Sequence, residues 1–227
     1  MNRLFARIAL ITCYLIFPFT YFCLSQPNQP ARPYFISSNN LFDTSEGSID
    51  NFSIANFEVA WPKAKARITR RALEHGAQVA LIRLNGNVSR GYNAQVSLFR
   101  ADSSRMQTMQ HDTGCAMVIF RDHGPSLAEY RYDILIHDVT YRNFRDGYFI
   151  RKKLDNCFGE HMLEINRASL ILPFEGRSRY FRLIKGGARK DRRHTYVRFG
   201  GYTLQEIGDE TLGRLLSEAH TEHLIAP

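Results

Sequence analysis

Two cysteines carry the clearest chemistry in this sequence. The chain of 227 residues contains four cysteines, and Cys13 and Cys23 lie in the apolar amino terminus, so Cys115 and Cys157 are the pair downstream of it. An even pair in an exported chain favours a disulfide, whereas two unrelated buried thiols are the alternative. A crosslink of this span would stabilise the fold by about 4 kcal/mol in the chain-entropy model. We predict a Cys115–Cys157 disulfide.

A dense basic segment is the second candidate for chemistry. Five basic residues occur within ten positions between two predicted strands: Lys185, Arg189, Lys190, Arg192 and Arg193. Such density concentrates positive potential and would attract sulfated glycans or anionic lipid. A solvated hairpin loop is the alternative interpretation. Because the chain is predicted to be exported, nucleic acid is not an expected partner, and we predict a polyanion-binding loop that contacts a protein or an anionic glycan or lipid surface.

Catalytic signatures are not found in the sequence. It contains no G-x-S-x-G elbow, P-loop, H-E-x-x-H motif or Asp-x-Asp pair. Neighbouring side chains diverge in a strand, and three-residue spacing suits a helix, so the following pairs are not ready-made dyads: His123 with Asp122, His137 with Asp138, and His161 with Glu164. We expect no catalytic residue, no metal site and no cofactor. Whether the protein is an enzyme stays open, and these expectations favour a protein that is not one.

Two triplets fit the N-glycosylation pattern. Asn51 and Asn87 are each followed by a serine two positions later. The pattern has physical meaning only in a eukaryotic secretory pathway. Both asparagines are therefore candidate glycosylation sites.

The amino terminus predicts export. Arg3 and Arg7 precede an uncharged apolar run from Ile8 to Leu24, which is typical of a signal peptide over residues 1–25 or of an uncleaved signal anchor. Both readings leave the amino terminus in the cytoplasm and place the rest of the chain outside it, secreted or held on a single span with the carboxyl-terminal domain outside or lumenal. The membrane is a partner if the leader is uncleaved. Residues 26–50, rich in Pro, Ser and Asn, are predicted to be a stalk.

The remaining residues, 51–227, predict a single β domain with two helices. Tyr132, Ile134 and Ile136 share one strand face, while Arg131, Asp133 and His137 fall mostly on the other, as in a half-buried strand. The Asp146-Gly147 pair predicts a hairpin that returns Tyr148–Ile150 antiparallel to Ile134–Val139. Pro62 near the start and Gly76 after the end predict a helix at about 62–75 with a basic surface, and Asp209 as N-cap predicts a helix at about 209–224.

One segment resembles a known family. DGYFIRKKLDNCFGEHMLEI, followed by ILPF at Asp146–Phe174, is similar to the second half of a filamin-type immunoglobulin-like repeat, with residues 94–174 as the loosest extent. The resemblance implies an immunoglobulin-like β-sandwich used for binding or spacing, with no catalytic residues. The predicted fold is therefore mainly β: an immunoglobulin-like sandwich with an N-terminal signal or anchor helix and two flanking helices.

Together these features predict an exported or membrane-tethered, non-catalytic binding or adhesion module with a basic surface loop. A lumenal type II carbohydrate-active enzyme, or an accessory domain of one, is the alternative, because a short tail, single span and stalk also describe such proteins. A subunit of a bacterial envelope complex is a third interpretation.

Overall fold

The computed structural model describes residues 32–37, 44, 47–87, 91–101, 114–122, 131–185, 195–199 and 201–224. The predicted leader lies outside these ranges, as does most of the predicted stalk. Among the described residues, no helix combines the length and apolar composition needed to cross a membrane. The described residues from Pro33 onward belong to one compact unit.

Strands dominate this unit. In chain order, the described elements are β1 (Tyr34–Ser37), β2 (Asp50–Ile54), α1 (Trp61–His75), β3 (Val79–Asn87), β4 (Gly91–Phe99), β5 (Ala116–Phe120), β6 (Tyr132–Ile136), β7 (Val139–Phe144), β8 (Tyr148–Lys153), β9 (Phe158–Ile165), β10 (Ala168–Glu175), β11 (Arg179–Lys185), β12 (Thr195–Phe199), β13 (Tyr202–Ile207), α2 (Glu210–Glu218) and β14 (Thr221–Glu222). The prediction of a mainly β chain with two helices is confirmed.

The described strands form three sheets. Sheet I has the order β1-β3-β4-β2, sheet II the order β12-β13-β11-β5-β8-β14, and sheet III the order β10-β9-β6-β7. Sheet III is antiparallel throughout. Sheets I and II also contain parallel pairs: β1 with β3, β5 with β11, and β8 with β14.

The alternation of side chains along β5 explains how the three sheets and the helices pack on one another. Every residue of β5 is buried, so this strand is covered on both faces. Ala116, Val118 and Phe120 belong to one hydrophobic core, which they share with sheet I and both helices; we call it the helix-side core. Met117 and Ile119 belong to a second core, shared with sheet III, which we call the disulfide-side core. Sheets II and III thus form a sandwich around the second core.

The disulfide connects the two sheets of that sandwich. Cys115 directly precedes β5 of sheet II, and Cys157 directly precedes β9 of sheet III. Their sulfur atoms are bonded, with Cα atoms 5.6 Å apart, and this confirms the predicted crosslink.

Both helices begin and end where local sequence signals place them, with one exception. In α1 the buried residues are Trp61, Ala64, Ile68 and Ala72, and Gly76 ends the helix at φ +65°. In α2 the carboxylate of Asp209 accepts a hydrogen bond from the Leu212 N–H. The exception is the end of α2, which was predicted near residue 224: the helix stops at Glu218, because Thr221–Glu222 pairs with β8 as β14.

Two further predictions are wrong. Tyr34–Ser37, within the predicted stalk, is a largely buried strand, since its apolar side chains and its backbone pairing with β3 outweigh the surrounding Pro-rich composition. The Asp146-Gly147 turn exists, but β8 pairs with β5 of sheet II instead of returning along β6. The hairpin partner of β6 is β7, and the turn between them contains His137 at φ +55°.

Candidate functional site

An exposed apolar row lies on the outer face of sheet III. Alternation along β9 and β10 turns Leu163, Leu172 and other apolar residues inward, so the intervening positions face solvent. Met162 and Ile171 are direct cross-strand partners on this outer face, 40% and 60% exposed. Phe158, on the same face of β9, is 64% exposed. These three residues are the exposed row.

Carboxylates flank the exposed row. Glu160 and Glu164 occupy the other outward positions of β9, and Glu175 stands opposite Phe158 in the register of β10. The eight outward positions of the two strands therefore carry three carboxylates and no basic residue: Phe158, Glu160, Met162, Glu164, Ser169, Ile171, Pro173 and Glu175. We call these eight positions the acidic face.

A cleft adjoins one end of the acidic face. It has a volume of about 320 Å³ and is lined by Asp133, Leu135, Thr140, Glu164, Asn166 and Arg167. The tight turn between β9 and β10 fixes its floor, with Asn166 at φ +46° and Arg167 at φ +72°. The Asn166 side-chain oxygen accepts the Asp133 N–H at 2.9 Å, while Ser169 donates to Glu164 at 3.2 Å. The Asp133 carboxylate accepts the Asn143 N–H at 3.1 Å, so hydrogen bonds hold the carboxylates of both Asp133 and Glu164 in place.

A second cluster, buried between sheet I and sheet II, is the Arg182 network. Its members are Glu58, Tyr92, Asp122, Arg182, Gln205 and His220. The Arg182 guanidinium pairs with both oxygens of Glu58 at 2.8 and 2.9 Å and lies 2.7 Å from Asp122. Arg182 also donates to Gln205 at 3.0 Å. The side chains of Arg182 and Asp122 are only 4% and 9% exposed, so the charges compensate one another away from water.

The geometry of His220 bears on what this network can do. Nδ1 lies 2.8 Å from the carbonyl oxygen of Leu216, and Nε2 lies 3.3 Å from Asp122. Both partners are oxygen acceptors, so the imidazole lies between the Leu216 carbonyl and the Asp122 carboxylate. This arrangement favours a structural role, joining the segment after α2 to β5.

Sequence reasoning missed the Arg182 network, because its partners are far apart in the chain. Glu58 and Arg182 are separated by 124 positions. One local signal existed: Arg182 lies on the same face of β11 as Tyr180, which belongs to the helix-side core. An arginine on an apolar strand face indicates a buried carboxylate partner, though not which one.

A third cluster pairs two imidazoles below sheet III. His161, 6% exposed, faces the disulfide-side core, and its Nδ1 lies 2.6 Å from Nε2 of His137. Burial lowers the pKa of His161 below its ordinary value of 6.5, the neighbouring His137 lowers it further, and the backbone of Asn156 acts in the opposite direction. The fold therefore favours the neutral form of His161.

Acid should therefore weaken the fold through His161. The pKa of His161 is lower in the folded than in the unfolded state. Its contribution to the free energy of unfolding is therefore complete above the unfolded-state pKa of about 6.5 and is lost as the pH falls below that value. We expect the free energy of unfolding to drop between about pH 7 and pH 5, and to drop less in His161→Gln. Urea unfolding at several pH values measures this. An identical pH slope in the two proteins would contradict the assignment.

The predicted glycosylation and polyanion residues are only partly within the structure. Asn51 is exposed on β2, an edge strand of sheet I, where its side-chain amide contacts Ser48. Asn87 ends β3 and Lys185 ends β11, but their side chains lie outside the described part. Arg189, Lys190, Arg192 and Arg193 also lie outside it. Glycosylation and polyanion binding both stay predictions.

The basic surface of α1 is largely occupied by other contacts. Lys65 pairs with Asp209 at 2.9 Å, and Arg71 pairs with Asp50 at 2.8 Å. Arg67 lies over the Phe52 ring at 5.2 Å. These contacts hold α1 against β2 and α2.

The comparisons with known proteins add no assignment. Within the described ranges, no three His, Cys, Asp or Glu side chains cluster as metal ligands would. The sequence matches no protein-family model, and neither a curated protein nor a solved structure matches it significantly. The acidic face, the cleft and the disulfide are the described features that bear on function.

Proposed function

We propose that this chain is an exported, non-catalytic binding module whose binding surface is the outer face of sheet III. The exposed row is the observation that carries the proposal, because large apolar side chains grouped on one rigid sheet face are typical of protein interaction sites. The disulfide supports a location outside the cytosol, since such bonds persist mainly in oxidising compartments. Secretion and tethering by an uncleaved leader both fit this proposal.

We also propose an immunoglobulin-like arrangement for sheets II and III. The sandwich around the disulfide-side core supports an immunoglobulin-like arrangement, and the filamin-type resemblance covers its β8, β9 and β10. The parallel pairing of β5 with β11 counts against it, because immunoglobulin sandwiches are antiparallel.

A carbohydrate-active enzyme or accessory domain is the second candidate, and the cleft is the observation that favours it. Asp133 and Glu164 both line the cleft, and most glycosidases use two carboxylates that flank the scissile bond. Hydrolysis of a chromogenic glycoside that is lost in both Asp133→Asn and Glu164→Gln would support this candidate over the binding module.

The location component is tested in cells. We expect the full chain, tagged at its carboxyl terminus, to fractionate outside the cytoplasm. Thiol alkylation followed by non-reducing mass spectrometry should find Cys115 and Cys157 crosslinked. A cytosolic protein with both thiols alkylated would overturn the proposal.

A further inference from the structure

We propose that the acidic face docks a cationic and apolar polypeptide segment of a partner protein. The apolar side chains of the partner segment would pack on Met162 and Ile171. Its lysine or arginine side chains would pair with Glu160, Glu164 and Glu175. The inference rests on the proposed function, which makes this face the binding surface, and adds the chemistry of the partner.

Exposed apolar side chains are grouped on the acidic face. The described residues include seven exposed large hydrophobic side chains: Ile49, Val59, Leu73, Phe158, Met162, Ile171 and Leu224. Three of them lie on two neighbouring strands of one sheet, and Met162 and Ile171 are direct cross-strand partners. Their backbones are fixed by the antiparallel ladder, so little order has to be gained when a partner covers them.

The charge of the acidic face is complementary to that of a cationic partner. The chain carries a net charge of +8, yet the acidic face holds three carboxylates and no basic residue. This local reversal of sign attracts cationic partners and repels anionic lipid and sulfated glycan. Arg167 lines the cleft together with Asp133 and Glu164, so the cleft carries a smaller negative excess than the eight positions along β9 and β10.

A partner segment can meet sheet III in two ways, at its β10 edge or across its outer face. β10 is an edge strand of sheet III, and a partner strand could in principle extend the sheet there. Pro173 lies in that strand and has no N–H to donate, and β10 also contacts β12 of sheet II. These two features disfavour edge pairing, so the partner segment is placed across the face, where it meets the apolar row and the carboxylates together.

The probes are three short fluorescein-labelled peptides: one of alternating lysine and valine, one of lysine and serine, and one of glutamate and valine. Anisotropy titrations use the full chain with its disulfide intact. We expect the lysine–valine peptide to bind most tightly, and to weaken as salt is raised. The double variant Met162→Ser/Ile171→Ser should raise its Kd about tenfold or more. Glu160→Lys/Glu164→Lys should reverse the preference toward the glutamate–valine peptide.

Matched controls lie on the opposite side of the protein. Val59→Ser removes an apolar side chain that is 62% exposed, close to the 60% of Ile171, and Glu74→Lys reverses a charge on α1. Neither should change the Kd. Thermal unfolding confirms that each variant is folded.

Several outcomes would overturn the inference. Equal binding by the face variants and the unaltered chain would do so, as would lysine–serine binding as tight as lysine–valine binding. Sedimentation that shows self-association through this face would replace the partner with a second copy. If no peptide binds while the chain is exported and crosslinked, the proposal of a cationic partner is wrong and the proposed function stands. A cytosolic chain with reduced thiols would overturn the proposed function itself.

Discussion

Replacing Arg182 with methionine is expected to lower the free energy of unfolding by about 3–5 kcal/mol, because it leaves the Asp122 and Glu58 carboxylates buried without their counter-charge. Methionine keeps an unbranched apolar stem and removes the guanidinium with its charge and donors. Urea denaturation monitored by circular dichroism measures the change.

A surface ion pair provides the control for Arg182. Lys152 lies 3.9 Å from Asp138, whose side chain is 86% exposed. Lys152→Met should cost only about 0–1 kcal/mol. Replacing all three charges with Glu58→Gln/Asp122→Asn/Arg182→Met should recover part of the loss, because no unpaired charge stays buried. Equal costs for Arg182→Met and Lys152→Met would mean that the network is not the buried charge centre described above.

Removing the disulfide with Cys115→Ala/Cys157→Ala should lower the free energy of unfolding by about 4 kcal/mol, as the chain-entropy model gives for a 42-residue loop. The crosslink joins the two sheets of the sandwich across the disulfide-side core, so its loss frees both ends of that loop in the unfolded chain. Denaturant titration in the presence and absence of dithiothreitol measures the effect.

Reductant supplies the internal control for the disulfide. Dithiothreitol should destabilise the unaltered protein by a similar amount and should leave the double alanine variant unchanged. Insensitivity of the unaltered protein to dithiothreitol, with full reduction verified by mass spectrometry, would show that the crosslink contributes nothing to stability.

Sequence reasoning succeeded where the cause is local. Gly76 predicts the end of α1 because positive φ is cheapest for glycine, and Asp209 predicts the start of α2 because its carboxylate can accept a free N–H. The shared strand face of Tyr132, Ile134 and Ile136 likewise predicts β6. The cysteine pair was predictable because few arrangements were open to two thiols.

It failed where pairing between distant segments decides the structure. β1 is stabilised by β3, which lies about forty residues later and is invisible in the local composition. A turn signal that fits a hairpin precedes β8, but β8 pairs with β5, which places Phe149 in the helix-side core and Ile150 in the disulfide-side core. The acidic face shares this limit, since Met162 and Ile171 look like ordinary core residues until the outer side of sheet III is known.

The strand β5 serves two cores at once, and this has a consequence for how the sequence can vary. Cys115 and Asp122 bracket the strand and point to opposite layers, one toward the sulfur bond and the other toward Arg182. An insertion or deletion of a single residue between them would invert every side chain on one side of the change. The thiol would then turn toward the helices, or the carboxylate toward sheet III. Insertions in a surface loop cost little because loop-closure entropy grows slowly with length, but the interval between these two residues is held fixed by both layers.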